Sequence, residues 1–187
     1  MGANIEGAVL TGTVLEGADL ESLVKGQVAM TRSTRSLRKS VQKILSDHTL
    51  WAESNGTSGA GAELKDEDLS RIDLGGIDLN GADLRGCNFS EAKLSNGVFI
   101  LTDFTRANLS GISAQGADFS GANLSESNLR AAYLRNAKFD PVELKEPDGR
   151  PLGRTAPSNL MGADLRDADL FGVVLEGAML QRVITEG

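Results

Sequence analysis

The chain of 187 residues has few of the side chains that knot an ordinary mixed core: six Phe, one Tyr and one Trp amount to 4% of it. Its core must be built from small and aliphatic residues instead. A single cysteine, Cys87, excludes an intrachain disulfide, and a single histidine, His48, leaves no soft ligand set for a structural zinc. No cofactor and no metal are expected. Long hydrophobic runs are missing too. The longest aliphatic and aromatic stretch, Val98 to Leu101, is far too short to span a membrane, and the start MGANIEGAVL carries Glu6 and no basic residue, unlike a secretory signal. The default expectation is a soluble cytoplasmic protein. What the chain has in quantity is glycine, 22 residues, and acid, with 26 Asp and Glu against 19 Lys and Arg for a net charge of -7. At 40% hydrophobic it is too apolar to be disordered.

The apolar residues recur every fifth position. From Leu64 the series runs through Leu69, Leu74, Leu79, Leu84 and Phe89 and continues at that spacing to Phe139 and Leu144, with Ala114 the one small member. The same spacing holds from Ile5 to Met30, broken at Lys25, and again from Leu160 to Leu180. A second column of small or aliphatic residues lies two positions before each centre, as at Ala82, Cys87 and Ala92. A helix needs apolar spacings of three and four, and a strand needs unbroken alternation. A strict five fits neither. It fits a short extended step with two inward side chains, followed by a corner at Gly or Ser where glycine relieves a positive φ.

Copies such as GADLR at Gly81 to Arg85, GADFS at Gly116 to Ser120, GANLS at Gly121 to Ser125 and GADLR at Gly162 to Arg166 resemble the A(D/N)LXX repeat of pentapeptide-repeat proteins. The resemblance implies an all-β solenoid, a right-handed quadrilateral β-helix with four pentads per coil. Residues twenty apart then lie above one another, about 4.8 Å away. Leu79, Phe99, Phe119 and Phe139 form one inner column, in which three rings are expected to stack. Cys87 falls on an inner small position and reads as a buried apolar residue. Outside, Glu63, Asp83, Asp103, Asn123 and Glu143 align as an acidic file, Asp68, Asn88, Asn108 and Asn128 as a neutral one, and Asp73, Lys93, Ser113 and Tyr133 as a third. Lys65, Arg85 and Lys145 lie two residues on from the acidic file and offset it.

Interruptions divide the chain into five parts: a repeat segment over 1–30, a basic helix and Gly/Ser-rich lead-in over 31–61, the main coil over 62–144, a Pro/Gly-rich arm over 145–157 and a final repeat segment over 158–187. In the second part Leu37, Val41, Ile44 and His48 share one helical face, with Arg32, Arg35, Lys39 and Lys43 opposite. Ser33 or Thr31 is the expected N-cap and Gly56 the stop. The apolar stripe suits a cap over a coil end, with His48 and Trp51 as its plug, or a partner-binding helix. In the arm, Arg150 and Arg154 are candidate contacts.

No phosphate-cradling loop, metal cluster or nucleophile with an assignable base is visible, so the chain is not expected to be an enzyme. The leading expectation is a non-catalytic protein-interaction scaffold whose partner the sequence does not name. A homo-oligomer through uncapped coil ends is the form to test, since open solenoid ends expose leucines and unpaired backbone. Direct nucleic-acid binding is not expected. The alternative, implied by the resemblance, is a DNA-mimicking inhibitor or protector of a type II topoisomerase (gyrase) presenting the acidic face.

Overall fold

The computed structural model describes residues 10–11, 30–146 and 149–186. Most of the expected 1–30 repeat segment, Lys25 included, lies outside these residues. Two short strands at its edges, β1 (Leu10–Thr11) and β2 (Met30–Thr31), pair in parallel with Leu10 opposite Met30. That register is the twenty-residue step of the repeat.

The body of the protein is a four-sided coil. Each pentad contributes one parallel bridge at the residue between its two inward side chains, and the bridges run Glu63 to Asp83 to Asp103, Asp68 to Asn88 to Asn108, Asp73 to Lys93 to Ser113 and Asp78 to Val98 to Asp118. The Leu64 N–H donates to the Asp83 carbonyl at 2.9 Å, and the Asp83 N–H to the Ala62 carbonyl at 2.9 Å. The same pair of bonds recurs on every wall. Inside, every centre from Leu64 to Phe139 and again at Leu160 and Leu165 is buried, as are the small residues before them, while Glu67 and Ile77 at the first coil are half-buried. Ala114 is offset by the larger Ile112 beside it, so the column keeps its volume.

Corners fall two residues after each centre, where the backbone turns left-handed. Glycine occupies several, but Asp66, Arg71, Leu101 and Ala131 adopt φ of 57°, 56°, 56° and 53° at equivalent places. The repeat therefore imposes the turn on side chains that resist it. Ala131→Gly should relieve that resistance and raise stability by about 0.5 to 1 kcal/mol. A thermal melt of the variant checks the sign.

Pro141 stands at the corner after Phe139. A proline ring fixes φ near -65° and forbids the left-handed turn. The chain leaves the coil there as a hairpin of β3 (Val142–Lys145) and β4 (Pro151–Ala156). It re-enters at Ser158, so that Asn159 bridges Asn123 in the place the arithmetic reserves for Glu143. Leu144 and Glu143 are thus hairpin residues, and the coil breaks before 144. Glu143 faces Thr155 across the hairpin and does not belong to the acidic file. The hairpin base crosses the corner at Gly121, where an added Cβ would meet Leu101 Cδ2 at 2.8 Å and Val142 Cγ2 at 3.0 Å.

The other insertion is α1 (Lys39–Glu53), preceded by a 3-10 turn at Thr34–Ser36. It begins later than the sequence suggests, because Arg32 is still in the coil: its N–H donates to the Arg71 carbonyl at 2.7 Å and its carbonyl accepts from Asp73 at 2.9 Å. The N-cap is Arg38, without a capping side chain, rather than Ser33 or Thr31. At the other end the Gly56 N–H donates to the Trp51 carbonyl at 2.8 Å and the Asn55 N–H to the Ala52 carbonyl at 3.2 Å, with Asn55 left-handed at 52°. This six-to-one, five-to-two pattern closes the helix. Leu37, Val41, Leu45 and His48 are buried in the hydrophobic core that runs through the coil, and Ile44 packs beside them.

Candidate interaction surfaces

The inward face is fully committed to packing. Phe99 and Phe119 stack with centroids 5.1 Å apart, Phe119 and Phe139 at 5.4 Å, and Phe104 meets Phe119 edge-on at 5.9 Å. Leu79 continues that column at the first coil and is fully buried. Where a polar atom takes an inner small position, it finds a backbone carbonyl. The Thr102 hydroxyl donates to the Leu79 carbonyl at 2.7 Å, and the Ser158 hydroxyl to the Phe119 carbonyl at 3.0 Å. The Cys87 thiol does the same to Leu64, and burial pushes its pKa up to about 12. A thiol held so far from ionisation is a packing group.

The walls carry two polar chains with a direction. Asn88 Nδ2 donates to Asp68 Oδ1 at 3.1 Å, Asn108 to Asn88 at 3.1 Å and Asn128 to Asn108 at 3.2 Å. Each Oδ1 also accepts the backbone N–H two residues on, at Ser70, Ser90, Ser110 and Arg130. Asp68 stands at the foot of this ladder, the one place in it where a residue must only accept. On the neighbouring wall Asn159 donates to Asn123, Asn123 to the Thr105 hydroxyl and Thr105 to Asp103.

That second chain absorbs much of the expected acidic file. Asp83 is bonded by Arg85 Nε at 2.7 Å with Lys65 at 3.6 Å, and Asp103 has Arg85 at 3.7 Å. Glu63 is exposed at the first coil, Asn123 and Asn159 are neutral, and Met179 follows. Elsewhere, pairs such as Arg71 with Glu91 at 3.1 Å and Arg106 with Glu126 at 2.7 Å link successive coils. Hydrogen bonding from Arg85 holds the Asp83 carboxyl at about 2, and Arg166 does the same for Asp164. Their folded pKa values lie below the unfolded 3.8, so the stability they contribute is present above 3.8 and is lost as pH falls toward about 2.

The candidate cations do not converge. Arg32 reaches from the coil to Asp68 and the Ser70 carbonyl, both at 3.3 Å. Arg35 lies in the 3-10 turn, exposed, while Lys39 opens α1 and Lys43 pairs with Asp47 at 2.5 Å. Arg32 and Arg35 therefore stand outside the helical face the sequence assigns to them. Arg150 and Arg154 are exposed on the hairpin, which leaves the coil four turns from α1. Among the described residues no group of His, Cys, Asp and Glu is placed to hold a metal ion, and no helix is long and apolar enough to cross a membrane.

Leu50, Leu101 and Leu152 are exposed singly elsewhere, but the three most exposed large apolar side chains of the described residues lie together toward the last coils. Tyr133, Phe171 and Val174 are 53%, 69% and 60% exposed on two adjoining walls, with Arg135 over the Phe171 ring at 5.5 Å. Beneath them Leu170, Val173 and Leu175 are only half-buried, and among the described residues no strand covers these two walls. The first coil differs: Leu64, Leu69, Leu74 and Leu79 lie sealed at its inner centres. Sequence periodicity treats the two ends alike, and only the outward position of Phe171, in a slot held by Gly75, Ser95, Gln115 and Arg135 on the coils before it, signals the difference.

The pentapeptide-repeat family model matches residues 68–106, 102–140 and 158–184, over half of the chain, as eight copies. A pentapeptide repeat protein of the Arabidopsis thaliana thylakoid lumen is 34% identical over 58% of this chain and 68% of its own, with a TM-score of 0.41. HetL of Nostoc, involved in heterocyst differentiation regulation, is 28% identical over 67% of this chain and 58% of its own, at 0.42. QnrB1, a plasmid-mediated fluoroquinolone resistance protein, is 19% identical over 71% of this chain and 70% of its own, at 0.25. No curated protein matches the chain. Eight repeat copies, four pentads to each twenty-residue step and paired inner columns of small and large apolar residues have one meaning: the chain belongs to the pentapeptide-repeat family, whose members form quadrilateral β-helices.

Proposed function

We propose that this protein is a non-catalytic interaction scaffold whose contact face is the last coil, and that its first partner is a second copy of itself. The observation that carries this reading is the exposed apolar rim of Tyr133, Phe171 and Val174, with Leu170 and Leu175 half-buried beneath it. A two-fold axis at that end sets like against like, apolar rim on apolar rim, as an isologous contact requires. The other walls are polar and carry ion pairs between coils, such as Arg71 with Glu91 and Arg106 with Glu126. A DNA-mimicking role draws less support. The acidic file is three residues long, and Arg85 and Lys65 lie against it.

Sedimentation of the 187-residue chain should show a dimer at tens of micromolar, and Phe171→Asp with Val174→Asp should return it to monomer with an unchanged melt. A monodisperse monomer for the unsubstituted chain overturns self-association. Affinity capture from the native host with the same pair of variants then asks whether a different protein uses this face.

A further inference from the structure

Among the described residues one buried side-chain nitrogen or oxygen has no hydrogen-bond partner. His48 is fully buried between α1 and the first coil, and its Nε2 meets no hydrogen-bonding atom. Its Nδ1 accepts the Ala62 N–H at 2.9 Å, and its ring stacks on Trp51 with centroids 5.3 Å apart. A nitrogen that accepts carries no proton, so this bond fixes the neutral ring as the Nε2–H tautomer. A proton added at Nδ1 would turn two N–H groups toward each other and place a cation where burial penalises it.

Grooves open to solvent border the helix. One groove of about 330 Å³ runs along Ile44, Asp47, Ala60, Gly61 and Glu63, and another of about 340 Å³ along Thr49, Ala52, Glu53, Gly76, Ile77 and Asp78. The helix thus meets the coil along a strip open to solvent at either margin. The charges bordering it are Asp47 and Glu53 from α1, Glu63 from the entry to the coil and Asp78 from the first coil. Asp47 is taken up by Lys43. Asp78 favours the charged ring, but burial outweighs it and the His48 pKa is lowered from 6.5. The residues after the helix, Asn55 to Gly61, read NGTSGAG, with Gly56 and Gly59 at φ of 82° and 75°.

We propose that His48 is an acid-sensitive latch: protonation at Nδ1 breaks its bond to Ala62 and frees α1, together with the 55–60 segment that folds back on it through the Ala60 N–H to Asp47 carbonyl bond at 3.2 Å, to swing away about Gly61, uncovering the apolar face of the first coil. The undocked ring binds the proton more tightly than the docked ring. Docking is therefore strongest above 6.5 and weakens as pH falls from there toward the lowered value. This window opens at 6.5, whereas the carboxylate losses begin below 3.8.

Trp51 is the only tryptophan and lies against the latch, so it reports the event in the full chain. Between about pH 8 and about pH 5, acrylamide quenching of Trp51 should rise with a midpoint below the ordinary histidine value while the phenylalanine near-ultraviolet signal of the coil holds. His48→Asn keeps an acceptor opposite Ala62 that does not titrate, and should abolish the rise. Quenching that is flat with pH in the unsubstituted chain, or a rise that persists in His48→Asn, overturns the latch. If the variant fails to fold, an NMR titration of His48 in the unsubstituted chain decides the matter. Proton uptake must coincide with the rise in quenching, and uptake without it sinks the proposal.

Discussion

Phe119→Ala should lower the stability of the coil by about 3 to 5 kcal/mol and should shift the whole unfolding transition rather than split it. Phe119 lies between Phe99 and Phe139 in a stack and against the edge of Phe104, with no exposed surface. Removing the ring strips three aromatic contacts at once. The space cannot close easily, because each neighbour is fixed to the backbone of the coils above and below. The Phe99 N–H donates to Asp118 at 2.7 Å, and the Phe119 N–H to Lys138 at 2.8 Å. A cavity that cannot collapse costs toward the upper end of the range for such truncations. Urea unfolding followed by far-ultraviolet circular dichroism measures it, and an unchanged midpoint would show that the stack does not hold the coil together.

The second large effect is electrical. Asn108→Asp should cost about 1 to 3 kcal/mol at neutral pH, although it changes one atom. Asn108 donates to Asn88 Oδ1 at 3.1 Å, and an aspartate there would set an anionic acceptor against another acceptor. Its bonds from Asn128 and Ser110 survive, since both need only an acceptor. Protonation restores the missing donor, so the folded pKa of the new carboxyl lies above its unfolded value. The stability is then recovered below the unfolded value and lost as pH rises through the folded one, opposite in sign to Asp83 and Asp164. Melting midpoints of the variant and the parent should converge on acidification. A gap that stays constant with pH would place the cost elsewhere.

The coil itself was legible because a period of five excludes helix and strand, and because twenty-residue columns match the bridges one for one from Glu63 to Lys138. Counting alone went astray at Leu144 and Glu143. Both are in phase, but phase is set by corners, and Pro141 cannot make the left-handed corner that the count presumes. That signal was in the sequence and a purely apolar reading passes over it. The start of α1 was less accessible, since what keeps Arg32 in the coil is its bridge to Ile72, across the whole insertion. His48 could be placed at the interface from its helical face. Its bond to Ala62 and its solitary Nε2 depend on how the 54–61 segment returns, which local pattern does not specify. The cations spread apart for a similar reason. Arg32, Lys43 and Arg150 belong to coil, helix and hairpin, and only the path of the chain separates them.

The two insertions also show how such a protein can change length. On all four walls the hairpin stretches the step between stacked partners from 20 residues to 36, yet Asn159 still donates to Asn123 as Asn128 does to Asn108. Extra chain that leaves and returns at a corner leaves all four walls in order, whatever its length. Loss of a single pentad from within the coil is different. The inner columns would accept it, since any centre is a leucine or phenylalanine to its neighbours. Every outer residue beyond the cut, however, would move round to the next wall by a quarter turn. Asn128 would no longer stand over Asn108, and Arg106 would no longer stand under Glu126. Evolution can therefore add to this protein almost anywhere along its corners, but it can trim the coil without scrambling the surface only one whole turn at a time.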